Sequence, residues 1–131
     1  MISLIKKLDL KILKIYSCNK VFCCKRGPGR DLEGYYEFPG GKIEINETKE
    51  EALIREIKEE LNIDISIDSY ITTIEYDYSS FHLIMHVYRC IIINGDISLN
   101  EHTDSIWCNV NELKNINFAP ADLEVISKIG V

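Results

Sequence analysis

Three glutamates carry the clearest chemical signal in this chain of 131 residues. Glu56, Glu59 and Glu60 stand at i, i+3 and i+4, a spacing that puts them on one side of a helix. Like charges at that spacing repel, so a helix gains nothing from them alone. One reading is a solvated acidic face, common on surface helices. The other is a site for a hard divalent cation, which takes clustered oxygen ligands. Neighbouring residues favour the second. Pro39-Gly40-Gly41 stands just upstream, where a loop carbonyl can complete a coordination sphere. Arg55 can offset the repulsion and orient a carboxylate through a forked hydrogen bond. Glu47 precedes the helix, within reach of its first turn or of Arg55.

Residues 41–63, GKIEINETKEEALIREIKEELNI, resemble the Nudix box, G-x5-E-x7-R-E-U-x-E-E-x-G-U with U aliphatic. Gly41, Glu47, Arg55, Glu56, Ile57, Glu59, Glu60 and Ile63 match. Asn62 stands where the pattern has its second glycine, and asparagine is the next residue most tolerant of left-handed backbone. The resemblance runs beyond the box and points to the MutT-like branch. Tyr36 to Glu44 is similar to that branch's W/L-E-F-P-G-G-K-I-E segment, and Lys25-Arg26 resembles a basic pair ending a short strand. Glu101, six residues before Trp107, is similar to a branch glutamate that approaches the metals. Phe118-Ala119-Pro120-Ala121-Asp122 looks like the segment that recognises the base.

The resemblance implies an α/β fold, the Nudix-type α/β/α sandwich with a mixed β-sheet between helices. It also implies hydrolysis of a phosphoanhydride, a nucleoside triphosphate giving the monophosphate and pyrophosphate. Mg2+ is the implied cofactor, with Mn2+ as a substitute. Its implied ligands are Gly40, Glu56, Glu59, Glu60 and Glu101. Arg55 would orient Glu56, and either Glu56 or Glu101 would accept the proton of the attacking water. A sensing module that keeps the fold without the catalysis is the rival reading. Such modules lose glutamates of the box, and this chain keeps them.

Substrate choice rests on fewer residues. In members that act on cytosine nucleotides the pattern is A-P-A-D, as here; in members that remove 8-oxo-guanine nucleotides an asparagine stands at the place of Asp122. An ionised aspartate offers only acceptors, which suits the amino group of cytosine and also the amino and N1–H edge of guanine. Asp122 has a second reading, as an acid favoured in the first turn of a helix. Arg26 can contact phosphate or sugar, or be a solvated strand-end residue. Phe38 can stack on a base, or lie in the core. Tyr78, with Tyr76, can line the substrate groove, or serve strand packing. His82 and His86 share a strand face without a third ligand nearby, and Trp107 reads as core or pocket wall.

These side chains need elements to hold them. Thr48-Lys49-Glu50-Glu51 fits a capping box, with Thr48 as N-cap and Glu51 at N3. Leu53, Ile57 and Leu61 then form one apolar row, widened by Ile54, and Asn62 ends the helix. Residues 2–16 and 21–24 read as strands joined by a turn at Ser17–Lys20, hence a hairpin. Residues 26–34 read as loop and 35–38 as a short β run. Residues 63–78, 81–93 and 106–110 read as strands, with a turn at Asn94-Gly95. Pro120 and the run Leu123, Val125, Ile126, Ile129 suggest a closing helix.

The length implies a single domain spanning 1–131. A net charge of −6 argues against nucleic acid polymers, which need a basic footprint, but permits a small nucleotide screened by metal. Five cysteines without CxxC spacing fit reduced thiols of a cytoplasmic protein. No stretch approaches a membrane span. Nothing in the sequence decides between monomer and homodimer.

Overall fold

The computed structural model describes residues 7–14, 20–29, 32–79, 81–100 and 102–128. The expectations for residues 2–6, for the turn at 17–19, for Glu101 and for Ile129 lie outside the described residues. In chain order the elements are β1 (Lys7–Lys14), β2 (Lys20–Arg26), β3 (Tyr36–Glu37), β4 (Gly40–Lys42), α1 (Lys49–Leu61), β5 (Asp64–Asp77), β6 (His82–Asn94), β7 (His102–Asn109), a 3-10 helix (Val110–Asn115) and α2 (Pro120–Ile126).

Two sheets result. The larger has the order β4-β1-β6-β5 and the smaller the order β3-β2-β7. The larger is mixed: β1 runs parallel to β6 and antiparallel to β4, and β5 and β6 form an antiparallel pair. The expected hairpin of the first two strands is therefore corrected. β1 and β2 go to different sheets, because each finds its hydrogen-bond partners elsewhere in the chain. Apolar alternation shows that a segment is extended, but it does not choose the segment's partner.

β2 shows why the arrangement is layered. Val21, Phe22, Cys23 and Cys24 are all buried, so both strand faces are covered. Phe22 and Cys24 pack with α1 residues Ala52, Leu53, Ile57 and Leu61. Val21 and Cys23 pack the other way, with Phe38, Leu113, Phe118, Ala121 and Val125. The sheets thus lie between α1 on one side and α2 with the 3-10 helix on the other, the α/β/α arrangement. Among the described residues no helix is long and apolar enough to cross a membrane.

Helix α1 follows its sequence signals closely. Thr48 Oγ1 accepts from Glu51 N–H at 3.0 Å, and Glu51 Oε1 accepts from Thr48 N–H at 2.9 Å. Leu53, Ile57 and Leu61 are fully buried, each stabilising by about 1.5–3 kcal/mol. Ile54 does not widen that row: it is exposed, and Ala52 fills the flank instead. Asn62 takes the left-handed conformation, φ 60° and ψ 36°. Beyond the turn at Gly95 the chain passes under the helix end. There Ser98 and Asn100 donate to the carbonyls of Leu61 and Glu60, groups that a helix end otherwise leaves unsatisfied. In α2 the apolar run is read less well: Val125 is buried, but Leu123 is exposed while Ala121 and Asp122 face inward.

The Asn62 geometry predicts a substitution series. Asn62→Gly should stay within about 1 kcal/mol of wild type in urea unfolding, since glycine adopts this conformation freely. Asn62→Val should lose about 1–2 kcal/mol. A valine variant as stable as wild type would contradict the assignment.

Candidate active site

Arg55 organises the site from the middle of α1. Its Nε and Nη2 donate to Glu47 at 2.5 and 2.9 Å. Its Nη1 donates to Glu56 at 3.0 Å and to Glu59 at 3.3 Å. Nη2 also donates to the Lys42 carbonyl at 3.0 Å. A guanidinium has five N–H donors, and here each has an acceptor. The guanidinium holds the Glu47 carboxyl down to about 2, helped by the backbone N–H of Glu44.

Glu56 lies on the opposite side of this cation. Its carboxyl rests against the α-carbon of Gly41: a β-carbon placed there would stand 2.2 Å from Glu56 Cδ. Only glycine admits that contact. Burial pushes the Glu56 carboxyl above its ordinary value, opposed by Arg55 and by a hydrogen bond with Glu60. Glu60 is itself buried, whereas Glu59 is exposed and turned to Arg55.

Three carboxylates thus bond to one guanidinium, and a fourth, the buried Glu60, shares a hydrogen bond with Glu56 in a sheltered position. Two carboxylates so close cannot both stay ionised without a further positive charge or a proton. Oxygen donors with excess negative charge fit a hard divalent cation. Among the described residues, no three acidic, histidine or cysteine side chains already converge around one point. Gly40 lies in β4 opposite Lys11, next to the glycine that receives Glu56.

A second group of residues lies at α2. Asp122 is buried in its first turn. The Tyr78 hydroxyl accepts from Ala121 N–H at 3.0 Å. Tyr78 thereby caps a helix whose N-cap, Ala119, makes no side-chain bond. It also packs between Tyr76 and Phe81. Asp122 lies near the Cys23 thiol, which burial, then Cys108, then Asp122 push upward.

The base-stacking role of Phe38 and the solvated reading of Arg26 are corrected here. Phe38 is fully buried and stacks on Phe118 at 5.0 Å, so its ring is core and offers no face to a base. Arg26 is not a solvated strand end: it is paired with Glu37 at 2.8 Å and mostly covered. Trp107 packs against Phe22. His82 bonds to Asp77 and Glu75, and His86 to Thr73.

The match of a NUDIX domain model over residues 12–128 decides the family. The chain belongs to the Nudix hydrolases. Within them it is MutT-like, a pyrophosphohydrolase of phosphoanhydride bonds. It is 28% identical to the CTP pyrophosphohydrolase of Escherichia coli, over 92% of this chain and 90% of that one. It is 31% identical to the 8-oxo-dGTP diphosphatase of Escherichia coli, over 85% and 86%. The solution structure of the E. coli ORF135 protein matches with a TM-score of 0.82 at 25% identity, over 98% and 91% of the two chains. A MutT Nudix hydrolase from Burkholderia pseudomallei matches with a TM-score of 0.84 at 19% identity, over 95% and 98%. Nudix hydrolases generally use divalent metal ions, in keeping with the oxygen-rich cluster on α1.

The Arg55–Glu47 pair predicts a pH-dependent contribution to stability. The folded-state pKa of Glu47 lies below its ordinary 4.5. Its contribution is therefore present above about pH 4.5 and lost as pH falls toward about 2. The gap in thermal midpoint between wild type and Glu47→Gln should be widest near neutrality and close across that window. A gap of equal size at about pH 6 and about pH 2.5 would contradict it.

Proposed function

We propose that this Nudix hydrolase cleaves nucleoside triphosphates to the monophosphate and pyrophosphate, with Mg2+ as its cofactor and Mn2+ as a substitute. The observation that carries the metal-dependent reading is the carboxylate excess around Arg55, with Glu56 seated on Gly41 and bonded to the buried Glu60. Glu56, Glu59 and Glu60, with the Gly40 carbonyl and Glu101, would hold the cation. When bound, it would neutralise phosphate charge and lower the pKa of a coordinated water. The remaining work belongs to the protein. Arg55 fixes Glu56 and draws the 42–47 loop onto the helix. Either Glu56, so oriented, or Glu101 would accept the proton of the attacking water. Position and electrostatics dominate phosphoryl transfer, and this cluster supplies both.

We place the base at α2. Buried Asp122, in its carboxylate form, would accept a hydrogen bond from the exocyclic amino group of cytosine, and the Tyr78 hydroxyl holds the helix turn that carries it. The preference is for cytosine nucleotides, supported by A-P-A-D and by the similarity to a CTP pyrophosphohydrolase. Oxidised purine nucleotides are the second reading, supported by relatives named 8-oxo-dGTP diphosphatase. The burial of Asp122 suits either base edge; the burial of Phe38 removes the ring first considered as a stacking platform.

The test is pyrophosphate release from a panel of canonical and oxidised nucleoside triphosphates with Mg2+. Wild type should favour CTP or dCTP. Glu60→Gln should lose about 100-fold or more in kcat on every substrate. Asp122→Asn should shift the ratio of rates toward 8-oxo-dGTP. Glu60→Gln within a few-fold of wild type would overturn the metal assignment, and an unchanged ratio in Asp122→Asn would overturn the base assignment.

A further inference from the structure

Glu37, Arg26 and His102 form a buried cluster that none of the roles above uses. Glu37 Oε1 accepts from Arg26 Nη1 at 2.8 Å, and Glu37 Oε2 accepts from His102 Nε2 at 2.9 Å. The His102 side chain is 1% exposed and that of Glu37 8%. An ionised carboxylate only accepts, so the bond places the imidazole proton on Nε2. The three residues come one from each strand of the smaller sheet: β2, β3 and β7.

Their meeting depends on an irregularity. Lys25 pairs with Asp104, but the next residue, Arg26, pairs with His102 rather than Thr103. This bulge leaves Thr103 exposed and sets Arg26 opposite His102, beside Glu37. Bulges of this kind re-aim side chains and gather next to active sites. What they aim at here is the start of the glycine segment. β3 has only two residues. Its other edge is held by Tyr36 N–H to the Asn117 carbonyl and Ala119 N–H to the Tyr36 carbonyl, both 2.9 Å. From Glu37 the chain runs through Phe38 and Pro39 to Gly40, the proposed carbonyl ligand, and to Gly41, the seat of Glu56.

We infer that His102 and Arg26 are positioning residues that grip Glu37 on both carboxylate oxygens and so fix the Phe38–Gly41 segment against Glu56. This rests on the metal-dependent reading above. Groups that orient a metal site without touching the metal alter affinity by about 10–100-fold when removed. Along the chain, the segment is restrained from both ends: through Glu37 before it and through the Lys42 carbonyl, bonded to Arg55, after it.

The experiment compares two amides that differ by one methylene. The longer amide of His102→Gln can reach Glu37 as Nε2 does; that of His102→Asn falls short. Mn2+ affinity is measured by calorimetry without nucleotide, with kcat and KM for CTP and the thermal midpoint alongside. His102→Asn should bind Mn2+ about 10-fold more weakly or worse and lower kcat, with KM for CTP little changed. His102→Gln should restore both. Glu37→Gln, which preserves shape but turns an amino group toward one of its two donors, should weaken Mn2+ in the same direction, and it decides the matter if His102→Asn does not fold. Mn2+ affinity at the wild-type level in folded His102→Asn or Glu37→Gln, or a His102→Gln variant as impaired as His102→Asn, overturns the inference while leaving the metal-dependent hydrolase intact. A wild-type chain that binds no Mn2+ and releases no pyrophosphate overturns that reading and the inference together.

Discussion

One guanidinium with every donor engaged is the constraint around which the site is built. Arg55 holds Glu47, Glu56, Glu59 and the Lys42 carbonyl at once, and so ties the loop before α1 to the helix's own acidic face. A lysine could not do this, because its ammonium is a point charge without the planar fork. The arrangement also leaves the cluster short of positive charge. One cation cannot balance four carboxylates, two of them sheltered and bonded to each other. The protein accepts repulsion that a purely structural helix would avoid, and conflict of that kind concentrates where a structure serves chemistry.

The rest of the fold brings two ends together around a short strand. β3 leads on one side into the glycines that receive Glu56. On the other it bonds to residues 117–119, which open α2 and place Asp122. Tyr78, just beyond β5, caps the same helix. Three layers are needed because β2 is buried on both faces, and its alternate residues serve two different cores. The carboxylate helix packs on one core and the helix carrying Asp122 on the other, with the glycine segment between them.

Much of this was legible in the sequence where the signal is local. The Thr48–Glu51 capping box, the Leu53–Ile57–Leu61 row and the left-handed Asn62 depend on neighbours a few residues apart, and each stands in the structure as read. Failures came where partners are distant. The first two strands read as a hairpin because alternation is blind to pairing, and they divide between sheets. Phe38 could be core or base platform by composition; its burial depends on Phe118, eighty residues away. Arg26 looked solvated or phosphate-facing because Glu37 and His102 meet it only through strand pairing and a bulge. Glu37 was visible as part of a resemblance, but no local pattern marks His102 as its partner. The Gly41 contact was hinted at by the motif, and its physical reason, the Glu56 carboxyl against the α-carbon, required coordinates.

We propose that the Glu56–Glu60 cluster, seated on Gly41, holds a divalent cation. Calorimetric titration of Mn2+ into wild type and Gly41→Ala, without nucleotide, tests it most directly, because the added methyl must displace Glu56 while no charge changes. Wild type should bind Mn2+ saturably, and a folded Gly41→Ala should bind it about 10-fold more weakly or worse. Equal affinity in the two proteins, or no binding by wild type, would contradict it.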